Sequence, residues 1–255
     1  MVEFADPHDS APPRRRPTAT PDEASLRTDD TTLGETLRDL KRRGCSVLVT
    51  GAVPFETRAA MSRRLFGVPD ERRFRLLAVT NSVGLPVARY LPDGLGARDD
   101  AVTVVDFADE LRGGVAASSG DTGTATGSSP TVRTDDADRV ASLGTSLSSA
   151  VATVADRVDT FAPGELRVGV ASLSGPYDEE EADRVRTTLG SMVEDVVDHR
   201  GMVHCHLLGE ADGRTANGLM PSFDVRIELR DRGTGTPEHR WVVPEQSVRT
   251  AWVPL

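Results

Sequence analysis

At 255 residues, with 40 acidic side chains against 30 lysines and arginines and a net charge of -10, the chain has room for one α/β domain plus tails. It is too acidic for a broad nucleic-acid surface, which needs clustered cations. No apolar run reaches the roughly 18–20 residues of a membrane-spanning helix. The start, Met1 to Pro7, lacks the basic-then-apolar order of a signal peptide, so a soluble cytoplasmic protein is expected.

Residues 1–30 carry five prolines, many charges and few apolar side chains, a composition that predicts a disordered tail. Arg14, Arg15 and Arg16 within it read either as a solvated run or as a small basic handle for an acidic partner. Thr32-Leu33-Gly34-Glu35 has the spacing of a capping box, and Leu33, Leu37 and Leu40 follow at helical spacing, with Gly44 placed to close the helix. Cys45 to Thr50 is a continuous apolar run that predicts a strand buried on both faces, central in a sheet. A turn at Gly51 leads to a helix from about Pro54 to Phe66, in which proline sits in the first turn.

Further strands are expected at Phe74–Thr80, Ala101–Phe107, Leu166–Leu173 and Met202–Leu208, with helices over Asp135–Thr160 and Asp178–His199. The β-rich end divides into Phe223–Arg230, Arg240–Val243 and Ser247–Val253, with Asp231 to Thr236 reading as a hairpin turn. Residues 113–134, almost all Gly, Ser, Thr and Ala, read as a flexible insert without a core of its own. Alternating strands and helices imply βαβ units around a mainly parallel sheet, and the terminal strands imply antiparallel additions at one edge. The expected architecture is a three-layer α/β/α domain over residues 31–255.

The candidate chemistry centres on the strand–turn–helix at Gly51. A G-x-x-x-x-G-K-[ST] loop at such a junction cradles phosphates through backbone N–H groups and a helix N-terminus. Counted from Gly51, the second Gly falls on Glu56, the Lys on Thr57 and the Ser/Thr on Arg58. Only the first Gly is kept. Glu56 brings a carboxylate toward the place of the phosphates, and no lysine bridges them. Arg58 and Thr57 in swapped order would be a rescue, but one residue of shift turns a helical side chain by about 100°.

His204 and His206 alternate on a strand and share a face, with Cys205 opposite. They read as core residues, as a remnant polar sensor at His206, or as part of a metal site completed from elsewhere. His199 and His239 match no zinc spacing. Cys45 and Cys205 read as small buried hydrophobes in a reducing compartment. Ser172 and Ser174 lack the G-x-S-x-G spacing of a nucleophile elbow. Asp106 ends a strand, where α/β sheets place ligand groups, though a turn residue is the plainer reading. Trp241 and Trp252 on the terminal strands either cover the sheet or form an oligomer seam.

The order of these parts, Val47 to Arg58, then Val168 to Gly175 (Val-Gly-Val-Ala-Ser-Leu-Ser-Gly), then Met-Val-His-Cys-His-Leu, then terminal strands, resembles the RecA-like P-loop ATPases of the KaiC/GvpD type. The ending Thr-Ala-Trp-Val-Pro-Leu resembles a degenerate haloarchaeal branch of that superfamily. The acidic excess, the single lysine (Lys41) and the single isoleucine (Ile227) suit such a source, an actinobacterial one being the alternative. The resemblance implies a RecA-like fold over about residues 33–255. It also implies a late strand ending in an Asp that holds a Mg²⁺-bound water, but Ala171 stands there, before Ser172 and Leu173. An alanine offers no oxygen to a hard cation.

The vestigial positions are therefore Gly51, Glu56, Thr57, Arg58, Ala171 and Ser172, with His206 as a possible sensor. No catalytic residue, metal or cofactor is expected, weak ATP binding being left open. The implied role is a pseudo-ATPase module for regulation or protein contact in signalling, with a protein partner or a second copy. The alternatives are an active or nucleotide-sensing ATP-binding protein and a DNA-recombination accessory.

Overall fold

The computed structural model describes residues 34–79, 87–106, 136–173, 179–210, 213–233 and 235–255. The expected tail at 1–30, with Arg14 to Arg16, the insert at 113–134 and Ser174 lie outside the described residues.

Helix α1 spans 34–43 and closes at Gly44, whose φ of 90° suits a residue without Cβ. Strand β1 (Cys45–Thr50) follows, then α2 (Phe55–Phe66), β2 (Phe74–Val79), a 3₁₀ turn at Val87–Arg89, and β3 (Val102–Asp106). Helix α3 (Asp136–Ala155), β4 (Leu166–Leu173), α4 (Glu179–Asp198), β5 (Met202–Leu207) and the short α5 (Arg214–Leu219) come next. The chain ends with β6 (Val225–Arg230), β7 (Glu238–Val243), β8 (Val248–Arg249) and β9 (Val253–Pro254).

All these strands form one sheet in the order β3-β2-β4-β5-β1-β6-β7-β8, with β9 also on β7. The pairs from β3 to β6 are parallel; β7 runs antiparallel to β6, and β8 and β9 antiparallel to β7. Strand β1 is central, flanked by β5 and β6, and all six of its residues are buried. Alternation along the strands then sorts the core. On one face Leu48, Leu76, Val168 and Cys205 pack with Leu143 and Leu147 of α3, Leu189 of α4 and Leu219 of α5. On the other, Val47, Val49 and Ile227 pack with Leu40 of α1 and with Met61 and Leu65 of α2. A third cluster joins Phe66 to Leu77, Tyr90 and Ala171. The architecture is a three-layer α/β/α sandwich.

Three expectations differ in detail. The helix placed over Asp135–Thr160 stops at Ala155, where Arg157 and Val158 donate to carbonyls three residues back and tighten the last turn. Strand β6 is parallel to β1 rather than part of an antiparallel run, because α5, absent from the sequence reading, carries the chain across the sheet between β5 and β6. The strand placed over Ser247–Val253 is two pairs of residues, β8 and β9, each holding one half of β7. Such short strands blunt an exposed edge.

The tryptophans both have partners within the chain. Trp241 packs against the cluster around Val47. The Trp252 ring lies 4.1 Å from the guanidinium of Arg230 and 4.5 Å from that of Arg240. Arg240 also pairs with Glu228, which is 1 % exposed and lies between two cations, Arg226 at 2.9 Å and Arg240 at 2.6 Å.

Two substitutions test this account. An alanine Cβ at Gly169 would sit 2.5 Å from Phe66 Cζ and 2.7 Å from His204 Cε1. Gly169→Ala is expected to lower stability by about 1–3 kcal/mol, seen as an earlier urea midpoint at unchanged slope; an unmoved midpoint contradicts the packing. Glu228→Gln leaves Arg226 and Arg240 without their counter-charge and is expected to cost about 3–5 kcal/mol by the same measurement.

Candidate functional site

Strand β1 delivers the chain to Gly51 at the end of the sheet where the parallel strands finish. Gly51 has φ 136°, and a Cβ there would collide with the carbonyl oxygen of Leu229. Glycine is thus required by the close approach of β1 and β6, with no ligand invoked. The Gly51 N–H donates to the Gly209 carbonyl at 3.2 Å, and the Val53 N–H donates to the Gly51 carbonyl at 2.9 Å. Pro54, with no N–H to give, caps α2 without a side-chain hydrogen bond.

The first turns of α2 scatter the three residues in question. Glu56 faces solvent and pairs with Arg89. Thr57 is buried, and its hydroxyl donates to the Asp231 carboxylate at 3.4 Å, just beyond β6. Arg58 folds back, and its Nη1 donates to the Val53 carbonyl at 2.7 Å. The swapped pair therefore diverges, with the hydroxyl toward β6 and the guanidinium onto the loop itself.

Ala171, on β4, is buried in the apolar cluster of Phe66, Leu77, Val79, Tyr90, Leu91 and Val102. Ser172 is buried beside it, where the β4–β5 register shifts between Val170 and Leu173. Strand β5 lies between β1 and β4, with His206 in register with Val49. Gly51, His206 and Ala171 are thereby brought to one end of the sheet, where the parallel strands finish. Asp106 closes β3 on the far side of β2 and β4.

His204 and His206 both face α2, while Cys205 packs in the opposite layer. His204 Nε2 is 3.1 Å from Ser62 Oγ on α2, and its ring meets Phe66 edge-on at 4.8 Å and His206 at 5.6 Å. Gly169 is in register with His204, and its lack of a side chain leaves the notch that the Phe66 and His204 rings share. His206 is fully buried, and neither ring nitrogen has a partner among the described residues. Burial, with the Arg58 charge nearby, pushes His206 down to about 3. Burial first, then His206 and Arg167, hold His204 well below the ordinary range. Both rings are neutral at pH 7.

Among the described residues no three His, Cys, Asp or Glu side chains come together as a metal site. His199 bonds the Asp195 carbonyl at 2.7 Å at the end of α4, and His239 is buried on β7. The cysteines are free and buried; burial pushes the Cys45 thiol up to about 12 and raises that of Cys205. Both are inert thiols. No helix among the described residues is long and apolar enough to cross a membrane.

The sequence reading missed two charged groups. One is the Arg226–Glu228–Arg240 cluster. The other is the pair Arg75 and Arg167, 1 % and 7 % exposed, which stand in register on neighbouring strands. An arginine second in each of two apolar strands, Phe-Arg-Leu-Leu and Leu-Arg-Val-Gly, was the available signal. Only the strand pairing makes them neighbours.

The buried histidines generate a pH dependence. Their unfolded side chains titrate near 6.5, while folded His206 stays neutral down to about 3. Between those values the unfolded state binds more protons, so stability is full above 6.5 and falls as pH drops toward 3. Each such histidine contributes a slope of about 1.4 kcal/mol per pH unit in that window. His206→Met is expected to remove one histidine's share of the slope, measured by urea denaturation at a series of pH values. A wild-type slope in the variant contradicts the burial of a neutral ring.

No curated protein matches the chain. A family model does match residues 44–229, well over half of the chain, from the approach to β1 into β6. The match covers Gly51, the first turns of α2, Ala171 and His206 together. The chain carrying this junction belongs to the family described as "Family of unknown function (DUF7504)".

Proposed function

We propose that this chain is a RecA-like domain of the KaiC/GvpD type that has lost the machinery of phosphoryl transfer and serves as a regulatory or protein-interaction module in signalling. One observation carries the reading: at the Gly51 junction two loop N–H groups and the Thr57 and Arg58 side chains bond the protein itself. The Gly51 and Val53 N–H groups go to backbone carbonyls, Arg58 goes to the Val53 carbonyl, and Thr57 goes to Asp231. Phosphoryl transfer rests on positioning and on charge stabilisation by a lysine, a hydroxyl and a metal-holding carboxylate. Thr57, Arg58 and Ala171 occupy those positions, and Ala171 sits among hydrocarbon. The strand order supports the ancestry, since β5 lies between the strand that ends at Gly51 and the strand that ends at Leu173. Two free, buried cysteines suit a reducing cytoplasm. The acidic balance favours a protein partner or a second copy over DNA.

A second reading, nucleotide sensing without turnover, draws on the His206 ring nitrogens, which lack partners among the described residues and lie in the field of Arg58. Isothermal titration with Mg-ATP and a phosphate-release assay, both at high salt, separate the readings. The expected outcome is neither micromolar binding nor release. Binding without release favours the sensor. Binding with steady release, abolished by Arg58→Ala, overturns the pseudo-ATPase reading.

A further inference from the structure

At the opposite end of the sheet, where the parallel strands begin, a cavity of about 290 Å³ opens between α1, the end of α2 and the starts of β1, β4, β5 and β6. Its walls are hydrocarbon, supplied by Leu37, Leu40, Val47, Leu65 and Trp241. Its polar lining is cationic, from Lys41, Arg64, Arg73 and Arg167, and no Asp or Glu is among the described residues that line it. In a chain of net charge -10, a pocket with four cations and no carboxylate runs against the average.

We propose that this cavity binds a small amphipathic anion, a monocarboxylate whose apolar body follows the Leu37–Val47–Trp241 wall and whose carboxylate meets the arginines.

Arg167 and its register neighbour Arg75 are buried side by side, an arrangement that repels. Backbone carbonyls take the Arg75 donors, and the Nε and Nη1 donors of Arg167. Arg75 bonds Phe66 O at 3.3 Å and Val68 O at 2.7 Å, and Arg167 bonds Gly164 O at 2.9 Å and Leu65 O at 3.3 Å. Three of these carbonyls, those of Leu65, Phe66 and Val68, lie at the C-terminus of α2, but a helix end carries only about half a negative charge. Two full positive charges face it, with Arg73 close by. Arg73 pairs with the exposed Glu71; among the described residues no carboxylate pairs with Arg75, Arg167, Arg64 or Lys41. Burial first, and the charge of Arg73 next, bring Arg167 down to about 10. Capping alone thus leaves a buried positive surplus, and buried charge is stable when it is paired.

The chemistry of the walls narrows the ligand. A planar guanidinium recognises carboxylate by paired hydrogen bonds. Walls of this apolarity suit one charge with a hydrocarbon body, since each further charge adds desolvation cost. At ~30 Å³ per water-sized group, the volume corresponds to about ten non-hydrogen atoms, the size of octanoate. Gly67 contributes space: with φ 78° and no Cβ, it lets the Arg73 guanidinium lie across the end of α2. The site is separate from the Gly51 junction, so the outcome here does not depend on the proposed function.

The experiment uses the reporter already in the wall. Trp241 and Trp252 are the chain's two tryptophans, so the full-length Trp252→Phe protein fluoresces from Trp241 alone. It is titrated with octanoate, with 1-octanol (the same chain without the charge) and with acetate (the charge without the chain). The expected result is a saturable change at one site per chain for octanoate, about tenfold or more tighter than for either control. Arg64→Gln, at an exposed position, and Leu37→Phe, which narrows the cavity, are each expected to weaken octanoate binding by about tenfold with an unchanged circular-dichroism spectrum. Arg64→Gln leaves octanol binding as it was. No saturable change, octanol binding equal to octanoate, or octanoate binding indifferent to both substitutions overturns the proposal.

Discussion

The seating of α2 on the sheet is the constraint from which the rest follows. Its inner surface is held at four levels. Thr57 reaches Asp231 near the first turn, Met61 and Leu65 enter the cluster around Val47, Ser62 meets His204, and Phe66 fills the notch at Gly169. Below Phe66, Arg75 and Arg167 take the last carbonyls of the helix and of the turn after it. A helix pinned at so many points has little rotational freedom. That rotation decides where Glu56, Thr57 and Arg58 point, and therefore what the Gly51 junction can do.

The same seating explains the unusual polarity beneath a helix. A parallel sheet with helices on both faces is ordinarily hydrocarbon throughout. Here the face under α2 carries Arg75, Arg167, His204 and His206, all buried. Each group is tolerated for a different reason. The arginines satisfy a helix end that would otherwise leave carbonyls without partners. The histidines stay neutral, so burial costs less than it would for a charged ring. Where neutrality is impossible, as at Arg75 and Arg167, a positive surplus remains beside an apolar cavity at the end of the sheet where the parallel strands begin.

The far side of β1 has its own electrostatic solution. Glu228 is neutralised by flanking arginines on β6 and β7, and Trp252 lies across Arg230 and Arg240. The paired charges hold the junction between parallel β6 and antiparallel β7, where the sheet changes character. Strands β8 and β9 then divide the outer edge of β7 between them.

Much of the fold was legible in the residues because periodicity is a local property. The run Cys45 to Thr50 announced a strand buried on both faces, and Leu166 to Leu173 is a strand over its full expected length. That position 57 holds Thr57 rather than a lysine, and 171 holds Ala171 rather than an aspartate, was also plain, since side-chain chemistry needs no fold to be read. What the sequence could not determine is adjacency. Arg75 and Arg167 are separated by many residues, and only the β2–β4 pairing sets them side by side. Gly169 looked like any strand glycine until the Phe66 and His204 rings were found to meet there. Arg58 read as a displaced cation, but the path of the loop turned it back onto Val53. Hydrophobic pattern is written along the chain, whereas the pairing of charges, notches and carbonyls exists only once distant segments are packed together.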